Sequence, residues 1–253
     1  MLIIQEFDPW KSKLCTCPPK YSLQPYTGCS HNCLYCYATS YIRKNRAVPK
    51  RNALRRLLRD LKKIDPRKHI NMSTSSDPYP PEERIYGLTR RMLEILIPMG
   101  LKILITTKGT LVLRDIDILR RGNVAVMMTI TTLDTKLASR LEPHAPAPLE
   151  RLSALKQLAK NEIPVGARID PIIPNINDDP SELSEIVYRL VDQGARHIVT
   201  STYKARNDSL RRLIDAFPVE GAKIKNLYIK NSDRIGGYRY LKKRMRLALL
   251  HPV

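Results

Sequence analysis

The sequence predicts an α/β fold, built as a curved and partly open (β/α)6 barrel with a C-terminal helical extension. Short apolar runs with the length of buried strands alternate with amphipathic helical segments, and this alternation occurs six times. Strands that alternate with helices form parallel sheets, and six units are too few for a closed eight-stranded barrel. The length of 253 residues, 43% of them hydrophobic, allows a sizeable core.

The predicted strands are compact, and most of them end in polar residues. They cover 21–26, 69–74, 101–107, 123–131, 163–173 and 197–203. The first predicted helix, 50–64, has leucines at helical spacing and basic residues on the opposite face. Further helices are predicted at 87–97, 113–121, 134–141, 148–161, 180–193 and 209–217. Asp179, followed by Pro180 and Glu182, has the pattern of an N-cap that begins the helix at 180.

One catalytic core with two flanking segments is the predicted domain organisation. Residues 1–20 are predicted to be an irregular lead-in, 21–217 the (β/α)6 core and 218–253 a basic extension. No run approaches the roughly 18–20 apolar residues of a membrane span, and the N-terminus lacks the pattern of a signal peptide. We therefore expect a cytoplasmic protein without a membrane partner.

Three cysteines occur within one short stretch, in the pattern Cys29-x3-Cys33-x2-Cys36. A tight loop of this spacing can aim three thiolates at one inorganic cluster. Each iron of a [4Fe–4S] cluster usually takes one cysteine, so three cysteines leave one iron open. An open iron can bind a small chelating molecule and pass it an electron.

Zinc is the alternative metal for this stretch, because His31 lies inside it and Cys15 and Cys17 precede it, and all three could serve as ligands. However, structural zinc prefers CxxC pairs, and the sequence has no second pair. Cys15 and Cys17 are too few for a second cluster, so we interpret them as ordinary thiols. A disulfide framework does not fit a large basic chain with five cysteines.

The cysteine stretch, with Tyr26-Thr-Gly28 before it and tyrosines around its last cysteine, resembles the radical SAM superfamily. The run Asp77-Pro-Tyr-Pro-Pro-Glu-Glu83 resembles a segment of spore photoproduct lyase-like members, and the likeness covers about 21–205. The resemblance implies a [4Fe–4S] cluster on the three cysteines, with S-adenosylmethionine chelated at the open iron. It further implies reductive cleavage of S-adenosylmethionine to a radical that abstracts a hydrogen atom from the substrate.

Polar residues follow four consecutive predicted strands, at the edge where ligands collect in parallel sheets. The resemblance assigns cofactor contacts to five residues, Tyr37, Ser76, Asp77, Lys108 and Thr129. Ser76 and Asp77 would lie near the methionine amino group, and Lys108 and Thr129 near its carboxylate. These four assignments pair opposite charges or hydrogen-bonding groups, as charge-assisted binding requires, and Tyr37 would pack near the cofactor.

Two further residues, Tyr79 and Arg168, are candidates for the reaction itself. Spore photoproduct lyase has a cysteine at the end of its second strand that returns a hydrogen atom to the product radical, and Thr74 occupies that position here. A hydroxyl is a poor hydrogen-atom donor, so spore photoproduct lyase activity itself is not predicted. Tyr79 is a candidate replacement donor, and Arg168 would contact cofactor or substrate.

The charge of the chain favours a polyanionic partner, since 44 Lys and Arg face 24 Asp and Glu for a net charge of +20. A thermophile surface is the alternative, but such surfaces usually balance their cations with Glu. The tail at 223–246 holds nine Lys and Arg, one Asp and three tyrosines. Phosphate contacts are predicted for Arg239, Lys242, Lys243 and Arg246, with tyrosines stacking on exposed bases.

The predicted function is therefore a radical SAM enzyme that acts on DNA or RNA, with ferredoxin or flavodoxin as the electron donor. Two alternatives stay open. The first is a radical SAM enzyme that acts on a protein or a small metabolite. The second is a non-enzymatic zinc or Fe–S protein that binds nucleic acid.

Overall fold

The structure, a computed structural model, describes residues 2–7 and 18–253. The strands of these residues, in chain order, are β1 (Ile4–Phe7), β2 (Lys20–Leu23), β3 (Tyr26–Thr27), β4 (Val48–Pro49), β5 (Ile70–Met72), β6 (Ile103–Thr107), β7 (Val124–Thr129), β8 (Val165–Ile172), β9 (Ile198–Thr202), β10 (Ser232–Ile235) and β11 (Tyr238–Leu241). Most of them join one large sheet, and the remaining four form two small antiparallel pairs.

Helices connect the strands. They are α1 (Thr39–Ile42), α2 (Ala53–Leu61), α3 (Glu83–Tyr86), α4 (Leu88–Leu96), α5 (Ile116–Leu119), α6 (Thr135–Leu141), α7 (Pro148–Lys160), α8 (Pro180–Asp192), α9 (Asn207–Ala216), α10 (Pro218–Lys230) and α11 (Lys243–Leu250). Two 3-10 helices lie at Ile97–Met99 and Thr110–Asp115. The predicted N-cap of α8 is confirmed, because the Asp179 carboxylate accepts hydrogen bonds from the amides of Ser181 and Glu182.

The large sheet has seven strands in the order β1-β2-β5-β6-β7-β8-β9. β1 is antiparallel to β2, and all other neighbours are parallel. The six parallel strands coincide with the six predicted ones, so the predicted α/β fold is confirmed. Within the described residues β1 and β9 form the two edges of the sheet and do not pair, so the sheet does not close into a barrel.

The N-terminal residues differ from the predicted irregular lead-in, because β1 extends the sheet at its first edge. The carboxylate of Asp60, on α2, accepts the amide of Ile3 at 2.5 Å and that of Ile4 at 3.3 Å. Both isoleucines are buried. A strand therefore forms at residues 4–7, where the apolar run of the sequence is too short to predict one.

The main apolar core lies on one face of the parallel sheet, because the residues that alternate with the buried ones along the strands, such as Thr106, are partly exposed. The aligned residues of neighbouring strands on that face, such as Ile70, Ile105 and Val126, are fully buried, and Leu57 of α2 belongs to the same hydrophobic cluster. Each fully buried side chain of this type contributes roughly 1.5–3 kcal/mol. In the described part of the chain, no helix is both long enough and apolar enough to cross a bilayer.

The C-terminal extension contains a hairpin that was not predicted. β10 and β11 pair antiparallel around Gly236 and Gly237, whose φ angles are 57° and 82°. Two consecutive positive φ angles fit a tight two-residue turn, which glycine adopts without strain. The hairpin packs on the segment after β9, where the backbones of Ala205 and Arg239 exchange two hydrogen bonds of 3.1 and 2.9 Å.

Candidate active site

The three cysteines of the motif lie in the loop that links β3 to α1, and all three are free thiols. Cys33 is buried, whereas Cys29 and Cys36 are partly exposed. Gly28 begins the loop with a φ of 81°, and a Cβ atom there would lie 2.3 Å from the carbonyl oxygen of Arg46. Only glycine fits this position, so the turn before Cys29 follows directly from the sequence.

Hydrogen bonds hold this loop against the carboxyl end of the sheet. The amide of Leu34 donates to the carbonyl of Leu141 at 2.9 Å, where α6 ends. From the opposite side, the Ser30 hydroxyl donates to Glu82 at 2.6 Å. The cysteine loop is therefore fixed on both sides by segments that follow β5 and β7. Cys15 and Cys17 lie outside the described residues.

The thiols suit a cationic cluster. Burial, with the nearby Asp77 carboxylate adding to it, raises the pKa of Cys29 to about 12, and burial also raises the pKa of Cys33. Thiolates in such a site need a cation to compensate them, and iron provides one. Among the described residues no group of three His, Cys, Asp or Glu is close enough to hold a single metal ion. Three thiols in one loop are the donor set that a [4Fe–4S] cluster with an open iron requires, so these residues fit it.

Asp77 connects the ends of two strands to the cysteine loop. Its carboxylate accepts the Thr107 hydroxyl at 2.5 Å and the amides of Tyr79 and Lys108 at 2.9 and 2.8 Å. The Nε2 atom of His31, within the loop, lies 3.4 Å away. Burial alone would raise the pKa of Asp77, but His31 and the hydrogen bonds lower it, so the carboxylate is held ionised.

Lys108 lies at the end of β6, beside a buried carboxylate. Its Nζ atom is 3.8 Å from Oε1 of Glu142 and 5.5 Å from the centre of the Tyr35 ring, and its side chain is 14% exposed. Burial opposes the charge of Lys108, but the nearby Cys33 and Glu142 outweigh it and raise the pKa. The ammonium group is therefore charged and enclosed at the base of the cysteine loop.

Glu142 is the centre of a buried network whose role the sequence did not indicate. Its Oε1 atom accepts hydrogen bonds from the Thr131 hydroxyl at 2.9 Å and from the Tyr35 hydroxyl, and its Oε2 atom forms an ion pair with Nη2 of Arg151 at 2.6 Å. Burial alone would raise the pKa of Glu142, but the charges of Arg151 and Lys108 outweigh burial and lower this pKa from 4.5 to about 2. The sequence signal for Glu142 is that the run Leu141-Glu-Pro-His-Ala-Pro146 resembles spore photoproduct lyase-like proteins, whereas no sequence signal pointed to Arg151.

Four other predicted residues also lie at this end of the sheet. The hydroxyl of Ser76 donates to the carbonyl of Tyr26 at 3.0 Å. Thr129 ends β7 and is buried, and Tyr37 packs edge-on against Tyr238 at 5.5 Å between ring centres. Arg168, on β8, forms an ion pair with Asp170. Their roles toward a cofactor or a substrate stay predictions.

Tyr79 does not agree with its predicted catalytic role. It is 1% exposed, and its hydroxyl donates to the buried Asp115 carboxylate at 3.0 Å. Burial and this carboxylate raise the pKa of Tyr79 well above its usual value. A hydroxyl enclosed in the core cannot reach a substrate, so we interpret Tyr79 as a core residue. Thr74, at the position of the hydrogen-donating cysteine of spore photoproduct lyase, accepts a hydrogen bond from the side-chain amide of Gln24.

A basic cleft of about 530 Å³ lies next to the cysteine loop, between α1 and the hairpin. It is lined by four arginines, Arg43, Arg206, Arg234 and Arg239, together with the carboxylate of Asp208. The guanidinium of Arg206 stacks on the Tyr238 ring at 4.6 Å. Of the four predicted phosphate contacts only Arg239 lines this cleft, because the other three residues lie at and beyond the start of α11.

Comparison with known proteins gives relatives of similar sequence. An uncharacterised protein of Acidianus two-tailed virus is 36% identical over 136 residues, which are 52% of this chain and 44% of the relative. An uncharacterised protein of Methanocaldococcus jannaschii is 35% identical over 164 residues, or 63% of this chain and 62% of the relative. The chain thus matches less than two thirds of the length of either protein.

A solved structure has a similar fold. A double mutant of spore photoproduct lyase with bound AdoMet and dinucleoside spore photoproduct aligns with a TM-score of 0.69 and 18% identity. The alignment covers 91% of this chain and 71% of that protein. At this level of identity the likeness shows a shared fold. Residues 23–187, more than half of the chain, match the radical SAM superfamily. The chain therefore belongs to the radical SAM superfamily, as its cysteine motif predicted.

Proposed function

We propose that this chain is a radical SAM enzyme that abstracts a hydrogen atom from a nucleic acid. The observation that carries the proposal is the adjacency of two features at one end of the sheet. A loop of three free thiols, next to the partly buried Lys108, continues directly into α1, and α1 forms one wall of the arginine-lined cleft. Redox chemistry and polyanion binding would therefore meet at one place.

Cys29, Cys33 and Cys36 would hold the [4Fe–4S] cluster that membership of the superfamily implies. The cluster and S-adenosylmethionine, when bound, supply the one-electron chemistry for hydrogen abstraction, and the protein supplies orientation and electrostatics. The remaining cofactor contacts would come from Tyr37, Ser76, Asp77, Lys108 and Thr129. An external donor such as ferredoxin or flavodoxin would provide the electron.

Lys108 would bind the cofactor carboxylate, and Glu142 supports that role. Burial lowers the pKa of a lysine that is only 14% exposed, and a nearby anion counteracts this effect. The Glu142 carboxylate at 3.8 Å helps to keep the ammonium protonated, and this distance is too long for a hydrogen bond between the two groups. Lys108 therefore keeps donors free for a carboxylate, and such charge-assisted bonds are stronger than neutral ones.

The cleft beside α1 would bind the phosphate backbone. Four arginines face one carboxylate there, and guanidinium groups suit bidentate phosphate binding. Tyr238, already stacked under Arg206, presents an aromatic group next to these cations. The net charge of +20 supports a polyanionic partner, and the similar fold of spore photoproduct lyase holds a dinucleoside lesion. Lys242, Lys243 and Arg246 would extend the contact along α11.

The proposal is tested with anaerobically reconstituted protein, S-adenosylmethionine, a reductant and oligonucleotides of uniformly deuterated DNA or RNA. Deuterium in the 5′-deoxyadenosine product would identify the nucleic acid as the hydrogen source. Product without deuterium from either oligonucleotide, when deuterated peptide or metabolite extracts do label it, would instead support the alternative substrates. Absence of both cluster absorbance and product would exclude the enzyme.

Binding of the oligonucleotide is measured separately, as a function of salt. Replacing Arg206 and Arg239 by Gln should lower affinity and flatten the slope of log affinity against log salt by roughly 0.7–0.9 for each phosphate that the variant no longer neutralises. Replacing Lys242 and Lys243 by Gln tests the predicted contact of α11 with the same loss of charge. The matched control replaces Lys62 and Lys63 by Gln, two exposed residues after α2 near the other edge of the sheet, so that it also loses two charges. Equal affinity and slope in the parent and the cleft variant would remove the cleft from the proposal.

A further inference from the structure

Arg212, on α9, contacts the cysteine loop directly. Its Nε atom donates to the carbonyl of Leu34 at 3.0 Å, and its NH2 group donates to the carbonyl of Cys36 at 2.8 Å. The same nitrogen, Nη2, also donates to the Thr39 hydroxyl at 3.0 Å, and Nη1 donates to the Asp208 carboxylate at 3.2 Å. One guanidinium therefore binds the loop before and at its last cysteine, and also the first residue of α1.

These bonds connect the two ends of the sheet. The cysteine loop follows β3, on the side of β2 at the first edge, whereas α9 follows β9 at the last edge. β1 and β9 do not pair within the described residues, so strand pairing does not join these two regions, whereas the side chain of Arg212 contacts the loop directly. Thr39 and Asp208 add a second bridge at 2.8 Å, next to the first.

The side chain suits a positioning role. Arg212 is 32% exposed, so its donors are partly removed from water and their hydrogen bonds to the carbonyls compete less with solvent. The planar guanidinium fork fixes several acceptors at once, which a lysine cannot do. Asp208, four residues earlier on α9, orients the fork through its ion pair.

We propose that Arg212 is a positioning residue that holds the cysteine loop in its cluster-binding shape and ties it to the last edge of the sheet. This inference rests on the proposed function, because the task of the loop there is to hold a cluster. Its positive charge next to the loop also favours the more negative, reduced state of that cluster. Loss of Arg212 frees the carbonyls of Leu34 and Cys36 and loosens the loop.

The first test uses the cluster-free, reduced protein. The parent, Arg212→Met, Arg212→Lys and the control Arg211→Met are treated with iodoacetamide, and labelling of each loop cysteine is followed by peptide mass spectrometry. Arg211 lies on the same helix and is exposed, and its variant loses one positive charge, as Arg212→Met does. We expect Arg212→Met to be labelled at Cys36 roughly tenfold faster, since hydrogen bonds to a charged group are removed. Arg212→Lys should fall between the two, and Arg211→Met should match the parent.

The second test measures the reduction potential of the reconstituted cluster. Arg212→Met should weaken the preference for the reduced state about tenfold, or about 59 mV for one electron, and Arg212→Lys should restore most of it. Equal labelling and equal potential in Arg212→Met and Arg211→Met would overturn the proposal. If neither the parent nor any variant binds a cluster, the proposed function fails. The labelling rates of the cluster-free protein still decide the role of Arg212. If Arg212→Met does not fold, Arg212→Lys decides the role of Arg212. This variant keeps the positive charge, so a faster labelling of Cys36 in it would come from the loss of the guanidinium fork.

Discussion

Replacing Glu142 by Gln should destabilise the protein by several kcal/mol. Glu142 is completely buried and compensates two cations, Arg151 at 2.6 Å and Lys108 at 3.8 Å. The drop of its pKa from 4.5 to about 2 corresponds to about 3 kcal/mol of stability. Removing one partner of a buried ion pair costs roughly the same, about 3–5 kcal/mol, because the other charge stays buried without compensation.

Thermal unfolding of the cluster-free protein at pH 7 measures this effect. In a domain of this size 1 kcal/mol shifts the melting temperature by roughly 2–4 °C, so a loss of about 6–12 °C is expected. The control Glu162→Gln, at an exposed position, should leave it unchanged. A second variant, Arg151→Met added to Glu142→Gln, should regain part of the loss, because it also removes one buried cation. A melting temperature within about 2 °C of the parent for Glu142→Gln alone would refute this reasoning.

The same carboxylate predicts a dependence on pH. Because its pKa is lower in the folded state, the stabilisation by Glu142 is complete above the unfolded pKa near 4.5 and is lost as pH falls toward 2. The difference in stability between the parent and Glu142→Gln should therefore shrink between pH 5 and pH 2. Denaturant titrations at several pH values measure it, and a constant difference across that range would contradict the assignment.

Three further predictions concern the cofactor residues and a helix cap. Replacing any cysteine of the loop by Ala should abolish the [4Fe–4S] absorbance and the reductive cleavage of S-adenosylmethionine, whereas replacing Cys15 and Cys17 together should leave both intact. Lys108→Ala should still form the cluster but bind S-adenosylmethionine roughly tenfold or more weakly in anaerobic calorimetry, since one charge-assisted contact is worth about 1.5–3 kcal/mol; unchanged affinity would remove Lys108 from the site. Asp179→Ala should cost about 0.5–2 kcal/mol in urea unfolding, because two amides of α8 lose their acceptor; a smaller loss than for the exposed control Asp192→Ala would contradict the cap.

The sequence alone was sufficient for features that depend on neighbouring residues. The six parallel strands and the N-cap at Asp179 follow from apolar periodicity and from residues within one turn of each other. The cysteine motif predicted the superfamily because its spacing is local, and Gly28 has the backbone angle that the loop requires. β1 and the hairpin were not predicted. β1 is stabilised by Asp60, and the hairpin by Ala205, and both partners are distant in the sequence.

The tertiary structure decided which polar residues share the site. Tyr79 follows a strand end, as Lys108 does, yet it points into the core, because position along a strand does not determine the direction of a side chain in the following loop. Glu142 is 107 residues from Tyr35, and Arg212 is 178 residues from Leu34, so no local pattern relates these pairs. Their contacts form because packing of the parallel sheet brings the ends of distant strands together. The thiols could thus be predicted from the sequence, but the carboxylate, the guanidinium groups and the cleft around them follow only from the packed fold.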